Sequence, residues 1–161
     1  MSTQADRVQV LSAPDVLALK GRTLGPSAWL PVSQDRVDAF ARAVEDWHWA
    51  HNEVERASRG PFGGTIGHAH LTLSLIPHLF ASLVGFADGE DAMFYGYNRV
   101  RFPTAVLVGS NVRMRAEVVN VADLGGGEQL TVDLVIEIDG ADRPACAAQA
   151  LFRHYHVVAP D

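Results

Sequence analysis

The hydrophobic period changes midway along the chain, and this change restricts the folds that the chain can adopt. In the first half, Ser33 can cap a helix, and apolar residues follow it at helical spacing: Val37, Phe40, Ala41 and Val44. In the second half, apolar residues alternate with polar ones, which is typical of strands with one buried face. Helices followed by consecutive strands predict an α+β domain with an antiparallel sheet.

The alternation is most regular in two segments of the second half. Their apolar positions are Val112, Met114, Ala116 and Val118 in the first, and Leu130, Val132, Leu134, Ile136 and Ile138 in the second. Residues 123–127 predict the turn between the two segments, and Gly140 marks the next turn. Two more strands are predicted over residues 95–102 and 147–157, so we expect a sheet of four or five strands.

An apolar segment, residues 71–87, occupies the middle of the chain. Residues 67–84 predict a long helix that is apolar on nearly all sides and is therefore surrounded by other structure. Pro77 and His78 interrupt the apolar run, which is shorter than the ~20 apolar residues that a membrane span needs. A sheet curled round this helix is the hot-dog layout, although the pattern also allows other α+β sandwiches.

Shorter elements are predicted in the first half of the chain. A helix over residues 14–20 belongs to an N-terminal helical extension, residues 1–27, of a single domain that comprises residues 1–161. Asn52 can cap another short helix, with Glu55 three residues later in a box-like arrangement.

Composition excludes several classes of function. The 161 residues carry a net charge of −6 at pH 7, whereas a nucleic-acid or anionic-membrane partner favours a basic protein. Cys146 is the only cysteine, so an internal disulfide cannot form. The first ten residues lack the apolar core of an export signal. We therefore expect a cytoplasmic protein without a nucleic-acid or membrane partner.

A first polar cluster contains Asp46 and His51, five residues apart and just after the amphipathic helix. A carboxylate and an imidazole that share one water molecule can remove and return its proton near neutral pH. The alternative is that Asp46 caps a turn while His51 makes a packing contact.

A second cluster lies at the start of the predicted long helix: Gly67, His68, Ala69 and His70. Backbone N–H groups in a first helical turn have no partner within the helix, so they can stabilise an enolate or an oxyanion. The alternative is a tight loop-to-helix connection in which His68 is hydrogen-bonded in the core.

An ordered series of motifs runs through these clusters and beyond them. Trp49 and Ala50 precede His51, which follows Asp46 after four intervening residues. Further segments are Gly-Pro-Phe-Gly-Gly-Thr-Ile at 60–66, Leu-Thr-Leu-Ser-Leu-Ile-Pro at 71–77, Val-Arg-Phe-Pro at 100–103 and Val-Gly-Ser at 108–110. Together they resemble the MaoC-like dehydratase family, which includes the (R)-specific enoyl-CoA hydratases, and most of all its nodulation protein N-like branch. The resemblance covers nearly the whole chain.

The resemblance implies a hot-dog fold and a homodimer whose active site lies near the subunit interface. It implies reversible addition of water to an α,β-unsaturated acyl thioester of CoA or an acyl-carrier protein, with no cofactor and no metal. Asp46 and His51 would hold and activate the water, and the backbone N–H of Ala69 would polarise the thioester carbonyl. The remaining residues assigned to the substrate site are Gly67, His68, His70, Trp49 and Tyr95.

The chain departs from the family pattern at Ala69, His70 and Phe94. The family has Ala-His-Gly and an apolar residue at the helix entry, where this chain has Gly67, His68, Ala69 and His70. Ala69 adds a methyl group, and it would be strained if the family's glycine has a positive φ. Phe94 replaces the family's Asn before Tyr95. These departures predict an altered substrate, a specialised dehydration or cyclisation, or a loss of activity.

Three other functions stay open. The first is a metal site, because Asp46 and the histidines near it are residue types that bind metal ions, but their spacing matches no standard zinc signature. Thioesterases of this fold often carry a carboxylate on the central helix, and residues 67–84 contain no Asp or Glu. The third alternative is a non-catalytic subunit that binds an acyl thioester. Four arginines can either bind CoA phosphates or lie on the solvent-exposed face of a sheet: Arg99, Arg101, Arg113 and Arg115.

Overall fold

The structure is a computed structural model that describes residues 8–10, 12–86 and 92–156. The strands are β1 (Val8–Val10), β2 (Thr23–Leu24), β3 (Leu30–Pro31), β4 (Val84–Phe86), β5 (Met93–Arg101), β6 (Asn111–Asp123), β7 (Gly127–Ile138) and β8 (Cys146–Tyr155). The helices are α1 (Ala13–Leu17), α2 (Gln34–Val44), α3 (Trp49–Asn52), α4 (Val54–Ser58), α5 (Ala69–Ser74) and α6 (Ile76–Ala81).

Six of these strands form one antiparallel sheet. Its order is β2-β6-β7-β8-β5, and β3 also pairs with β6, while β1 and β4 form a separate parallel pair. The prediction of four or five strands was too low, because β2 and β3 are each only two residues long and too short to show a period. The α+β class with an antiparallel sheet is confirmed.

The predicted faces of the two longest strands, β6 and β7, are also confirmed. Every apolar position predicted for them is buried, from Val112 at 0% exposure to Ile138 at 8%. Their antiparallel register pairs Val112 with Ile138, and β7 in turn pairs Leu130 with Phe152 of β8. The apolar side chains of three neighbouring strands therefore cover one face of the sheet.

The predicted long helix over residues 67–84 is broken into α5 and α6. Pro77 has no N–H group and so cannot donate to the carbonyl four residues earlier, that of Leu73. The hydroxyl of Tyr97 on β5 donates to that carbonyl instead, at 3.3 Å. The break thus follows from the proline, and the sheet supplies the missing hydrogen bond.

These two helices pack on the apolar face of the sheet, but they are not enclosed on all sides. Their buried residues include Leu71, Ile76 and Phe80, and the ring of Phe80 stacks on Phe152 with centroids 4.0 Å apart. A polar stripe at four-residue spacing remains exposed: His70, Ser74, His78 and Ser82. The expectation of burial on nearly all sides was wrong in this respect. None of the described helices is both long and apolar enough to cross a membrane.

The first half differs from prediction in detail. Ser33 caps α2 as predicted, accepting from the Arg36 N–H at 3.3 Å, but Val44 at its end is 51% exposed rather than buried. Asn52 does not cap a helix. It is the last residue of α3, and Glu53 occupies the N-cap position of α4.

The segment assigned to an N-terminal helical extension, residues 1–27, contains one short helix, α1, between the strands β1 and β2. Residues 1–7 and 11 of that segment lie outside the described residues. The same is true of residue 87 in the apolar segment and of residue 157 at the end of the last predicted strand.

Candidate active site

Asp46 is placed by the end of helix α2. Glu45, the C-cap residue, has a φ of 59°, and it is the only non-glycine residue of the described chain with positive φ. This left-handed residue ends the helix, so that Asp46 begins a short loop. The Asp46 side chain is half exposed, and its Oδ1 accepts from the N–H of His48 at 3.4 Å. Asp46 therefore stabilises a turn and still presents a carboxylate oxygen to its surroundings.

His51 on α3 has its tautomer set by one hydrogen bond. Its Nδ1 lies 2.7 Å from the carbonyl oxygen of Ile66, and a carbonyl can only accept, so Nδ1 carries the proton. In the neutral ring, Nε2 is then left with a lone pair. Burial lowers the pKa of His51 below its usual 6.5, with smaller effects from its neighbours. A neutral imidazole with an accepting Nε2 is the form that a general base requires.

His68 joins these two residues. Its side chain is buried, its Nε2 donates to the backbone carbonyl of Asp46 at 3.0 Å, and its ring stacks on His51 with centroids 3.7 Å apart. The same Nε2 is 4.0 Å from Oδ2 of Asp46. Nδ1 of His68 is buried without a hydrogen-bond partner among the described residues. His68 thus fills the core side of the cluster and fixes the Asp46 loop against α3.

A cleft of about 360 Å³ brings most of the predicted site residues together. Six of the eight line it: Asp46, His51, Gly67, His68, Ala69 and His70. Ligand-type atoms of Asp46, His51 and His68 all lie within 4.8 Å of one another. One small polar molecule could contact all three, and by residue type the same three side chains could hold a metal ion.

The helix entry is not strained. Ala69 is the first residue of α5, and its backbone is helical, so the predicted penalty of a positive φ does not arise. As the first helical residue, Ala69 has an N–H with no acceptor inside the helix. Gly67 is buried in the preceding loop, and its N–H donates to the carbonyl of Val106 at 2.8 Å. His70 is exposed and faces Phe102, another lining residue, with ring centroids 6.4 Å apart.

Trp49 and Tyr95 do not line the cleft. The Trp49 ring packs against Gly60, and the guanidinium of Arg56 lies 4.9 Å from its centre. Tyr95 is 56% exposed on β5, where the guanidinium of Arg153 lies 3.3 Å from its ring. Within one chain the structure therefore separates both aromatic residues from Asp46 and His51.

A polar network that the sequence did not reveal holds His51 in place. Nε2 of Gln34 donates both to the backbone carbonyl of His51 and to the carboxylate of Asp38, each at 2.8 Å. The Thr65 hydroxyl donates to Gln34 at 2.7 Å, and Asn52 donates to Asp38 at 2.6 Å. The contacts join helix α2 to α3 and to the loop at Thr65, and no local pattern indicates these longer-range contacts. The only sequence feature that could have indicated this network is the polar residue Gln34 at the start of a helix.

The alternating arginines lie on the sheet face opposite the core. Arg99 pairs with Asp133 at 3.0 Å, and both Arg113 and Arg115 pair with Glu137, at 2.6 and 2.8 Å. Cross-strand carboxylates thus compensate part of this positive charge, while Arg101 donates to the carbonyl of Val100. Burial raises the pKa of the Cys146 thiol to about 11, so this cysteine is an unreactive core residue.

The fold and the site define a class: a hot-dog protein in which an antiparallel sheet packs against the helices α5 and α6, with a carboxylate and an imidazole at the start of α5. The solved (R)-hydratase from A. caviae has this fold, with a TM-score of 0.68 at 22% identity, over 83% of this chain and 94% of that one. The MaoC like domain family model matches residues 15–138, and the chain belongs to that family.

Two curated relatives agree with this assignment. The 3-hydroxyacyl-thioester dehydratase Z of Mycobacterium tuberculosis (strain ATCC 25618 / H37Rv) is 42% identical over 144 residues, which are 89% of this chain and 95% of that protein. Nodulation protein N of Rhizobium leguminosarum bv. viciae is 39% identical over 142 residues, 86% of this chain and 88% of that protein. The resemblance stated from the motifs is confirmed.

Proposed function

We propose that the protein is a hydro-lyase that interconverts α,β-unsaturated and 3-hydroxyacyl thioesters. The observation that carries this proposal is the pairing of Asp46 with a neutral His51 across a cleft that also contains the first N–H of α5. The similarity to a protein named 3-hydroxyacyl-thioester dehydratase Z supports the substrate class.

In the hydration direction, one water is held between Asp46 and Nε2 of His51. His51 removes a proton from the water while the water oxygen bonds to C3 of the enoyl chain, and the C2–C3 double bond supplies electrons to the thioester carbonyl. The N–H of Ala69 donates to the resulting enolate oxygen. A proton then passes from the Asp46–His51 pair to C2, which completes the addition and restores the pair. Dehydration follows the same steps in reverse.

The low pKa of His51 suits this role. A base that stays neutral at pH 7 can accept the water proton without first losing one. The hydrogen bond from Nδ1 to the Ile66 carbonyl keeps the ring oriented, and it stabilises the charged form when the proton arrives. Asp46, half exposed and 4.0 Å from His68, can hold the water from the other side.

The working unit that we propose is a homodimer. Strand β5 lies at one edge of the sheet, where no second strand pairs with it among the described residues. Its first residues are exposed and apolar, with Met93 at 64%, Phe94 at 40% and Tyr95 at 56% exposure. Phe102, just after β5, is 41% exposed and also lines the cleft. A second copy on this edge would therefore cover the open side of the cleft and bring Tyr95 towards a substrate.

Light scattering of the purified chain tests the homodimer, with the expected mass being twice that of one chain. A monomeric mass that persists at micromolar concentration would point to a different chain as the partner.

For its location we propose the cytoplasm, where a single buried thiol such as Cys146 stays reduced.

Turnover of a panel of trans-2-enoyl-CoA and 3-hydroxyacyl-CoA thioesters tests the activity. We expect reversible loss of the enoyl absorbance with at least one short or medium chain. Binding of acyl-CoA without turnover of any member would instead favour a non-catalytic subunit. Release of free CoA would favour a thioesterase.

A further inference from the structure

A second polar cluster lies at the far end of the sheet. Glu128 on β7 stands directly opposite His154 on β8, and His156 follows two residues later, on the same side of the extended chain. The last strand of the sheet thus brings two imidazoles to one carboxylate. No local motif marks this cluster, because Glu128 is 26 and 28 residues away from the two histidines.

Both oxygens of this carboxylate are occupied by imidazole nitrogens. Oε2 of Glu128 lies 3.1 Å from Nδ1 of His154, and Oε1 lies 2.8 Å from Nε2 of His156. Glu128 and His154 have side chains only 4% and 7% exposed, while His156 is 45% exposed. The ring of Phe86 stacks on His154 at 4.3 Å and closes the inner side. The cluster is therefore open to solvent on the His156 side.

Each oxygen of the buried Glu128 carboxylate has one hydrogen-bond partner, and a cation would stabilise its charge further. An ionised carboxylate is costly to bury unless a cation or several hydrogen bonds compensate it. Among the residues that the structure describes, no lysine or arginine forms an ion pair with Glu128, and both of its ion-pair partners are histidines. Two neutral imidazoles would leave one negative charge in the core of the sheet.

We propose that Glu128, His154 and His156 form a binding site for a divalent transition-metal ion, with zinc as the best fit. Two imidazoles and one carboxylate are a ligand set that zinc accepts. The three ligand atoms lie within 4.8 Å of one another, and the two imidazoles would move apart only slightly from their hydrogen-bond distances of 3.1 and 2.8 Å to reach the ~3.3 Å spacing of ligands around tetrahedral zinc. Water would complete the coordination on the exposed side.

Within one chain, this site is remote from the proposed chemistry. Ala145, which lines the cleft, precedes the first residue of β8, whereas His154 is near its last residue, so the two are ~30 Å apart along the strand. The backbone N–H of His156 donates to Gly126 in the turn between β6 and β7. A bound ion would therefore tie the end of the last strand to that turn, and its effect would be on stability rather than on turnover.

Calorimetric titration of the chelator-treated full chain with zinc sulfate tests the proposal. We expect one ion per chain, and we expect Glu128→Gln and His156→Gln each to weaken binding at least tenfold. Asp46→Asn is the matched control, since it alters the other cluster of metal-ligand type, and it should bind like the wild type. Zinc in excess should also raise the Tm of the wild type by about 5 °C or more, and that of His156→Gln by clearly less.

Two results would overturn the site. One is the absence of zinc binding by the wild type. The other is loss of binding in Asp46→Asn with retention in His156→Gln. If Glu128→Gln does not fold, His156→Gln decides the question, because its side chain is half exposed and its replacement keeps a hydrogen-bond donor.

Discussion

His51 stacks on His68 with ring centroids 3.7 Å apart and an angle of 26° between the rings. His68 is buried, so this contact removes one face of the His51 ring from water. His68 also donates to the Asp46 carbonyl, so one side chain positions both members of the proposed acid–base pair. The arrangement makes His68 a positioning residue, whose removal is expected to alter the pH dependence as well as the rate.

Replacing the pair itself should reduce turnover. We expect Asp46→Asn and His51→Ala each to slow hydration of a short enoyl-CoA by roughly 10² or more, as is typical for the loss of a general acid–base group. The measurement is steady-state kcat, compared between the wild type and variants whose secondary structure matches that of the wild type. Near-normal turnover by both variants would exclude this mechanism.

The acid limb of the pH–rate profile should have its midpoint below 6.5. Burial lowers the pKa of His51, and the base must be neutral, so activity falls only when the pH drops through this lowered value. His68→Asn should move the midpoint upward, because it admits water to His51 and removes a neighbouring imidazole that lowers the pKa. His78→Gln, an exposed change on α6, should leave the profile in place. An unchanged midpoint in His68→Asn would show that the stacking does not tune His51.

The Gln34 network should affect catalysis through geometry. Gln34→Ala removes the hydrogen bond to the His51 carbonyl, and we expect kcat to fall about tenfold with a smaller change in KM. Gln149→Ala is the control, since Gln149 also bonds two polar side chains, Asn98 and Asp133, but on the outer sheet face. Equal kcat in both variants would mean that Gln34 contributes only to stability.

The two departures at the helix entry should restrict substrates. Ala69→Gly with His70→Met removes a methyl group and a polar ring from the cleft, and we expect kcat/KM for simple enoyl-CoA substrates to rise about tenfold. The same thioester panel, measured on wild type and double variant, checks this. Unchanged kinetics together with good wild-type turnover would show that these departures are neutral.

Glu45 stores strain next to the site. Its φ of 59° is unfavourable for a residue with a side chain, so Glu45→Gly should raise the free energy of unfolding by ~0.5–1 kcal/mol. Denaturant unfolding measures this change. Glu55→Gly in α4 is the matched control, where the backbone is helical and glycine should instead destabilise by a similar amount. Destabilisation in both variants would show that the Glu45 conformation carries no relievable strain.

Much of the fold was predictable because its signals are local. Alternation marked the buried faces of β6 and β7, and Ser33 marked the start of α2. Pro77, which breaks the helix, is visible within the long apolar run, but the Tyr97 hydroxyl that satisfies the Leu73 carbonyl is 24 residues away from it and is not indicated by any local pattern. The strands that were missed are too short to show a repeating pattern, since β2 and β3 have two residues each and β1 and β4 have three.

The sequence by itself determined the residue types of the site, the order of the family's motifs and the apolar faces of the sheet, because each is carried by neighbouring positions. Only the tertiary structure decided that His51 rests on His68, that Gln34 holds the His51 backbone and that Glu128 lies between two histidines. Those partners are 17 to 28 residues apart, and their contact depends on how the helices and strands pack. The chemistry of each residue is local, whereas its pKa, its orientation and its neighbours are properties of the packed fold.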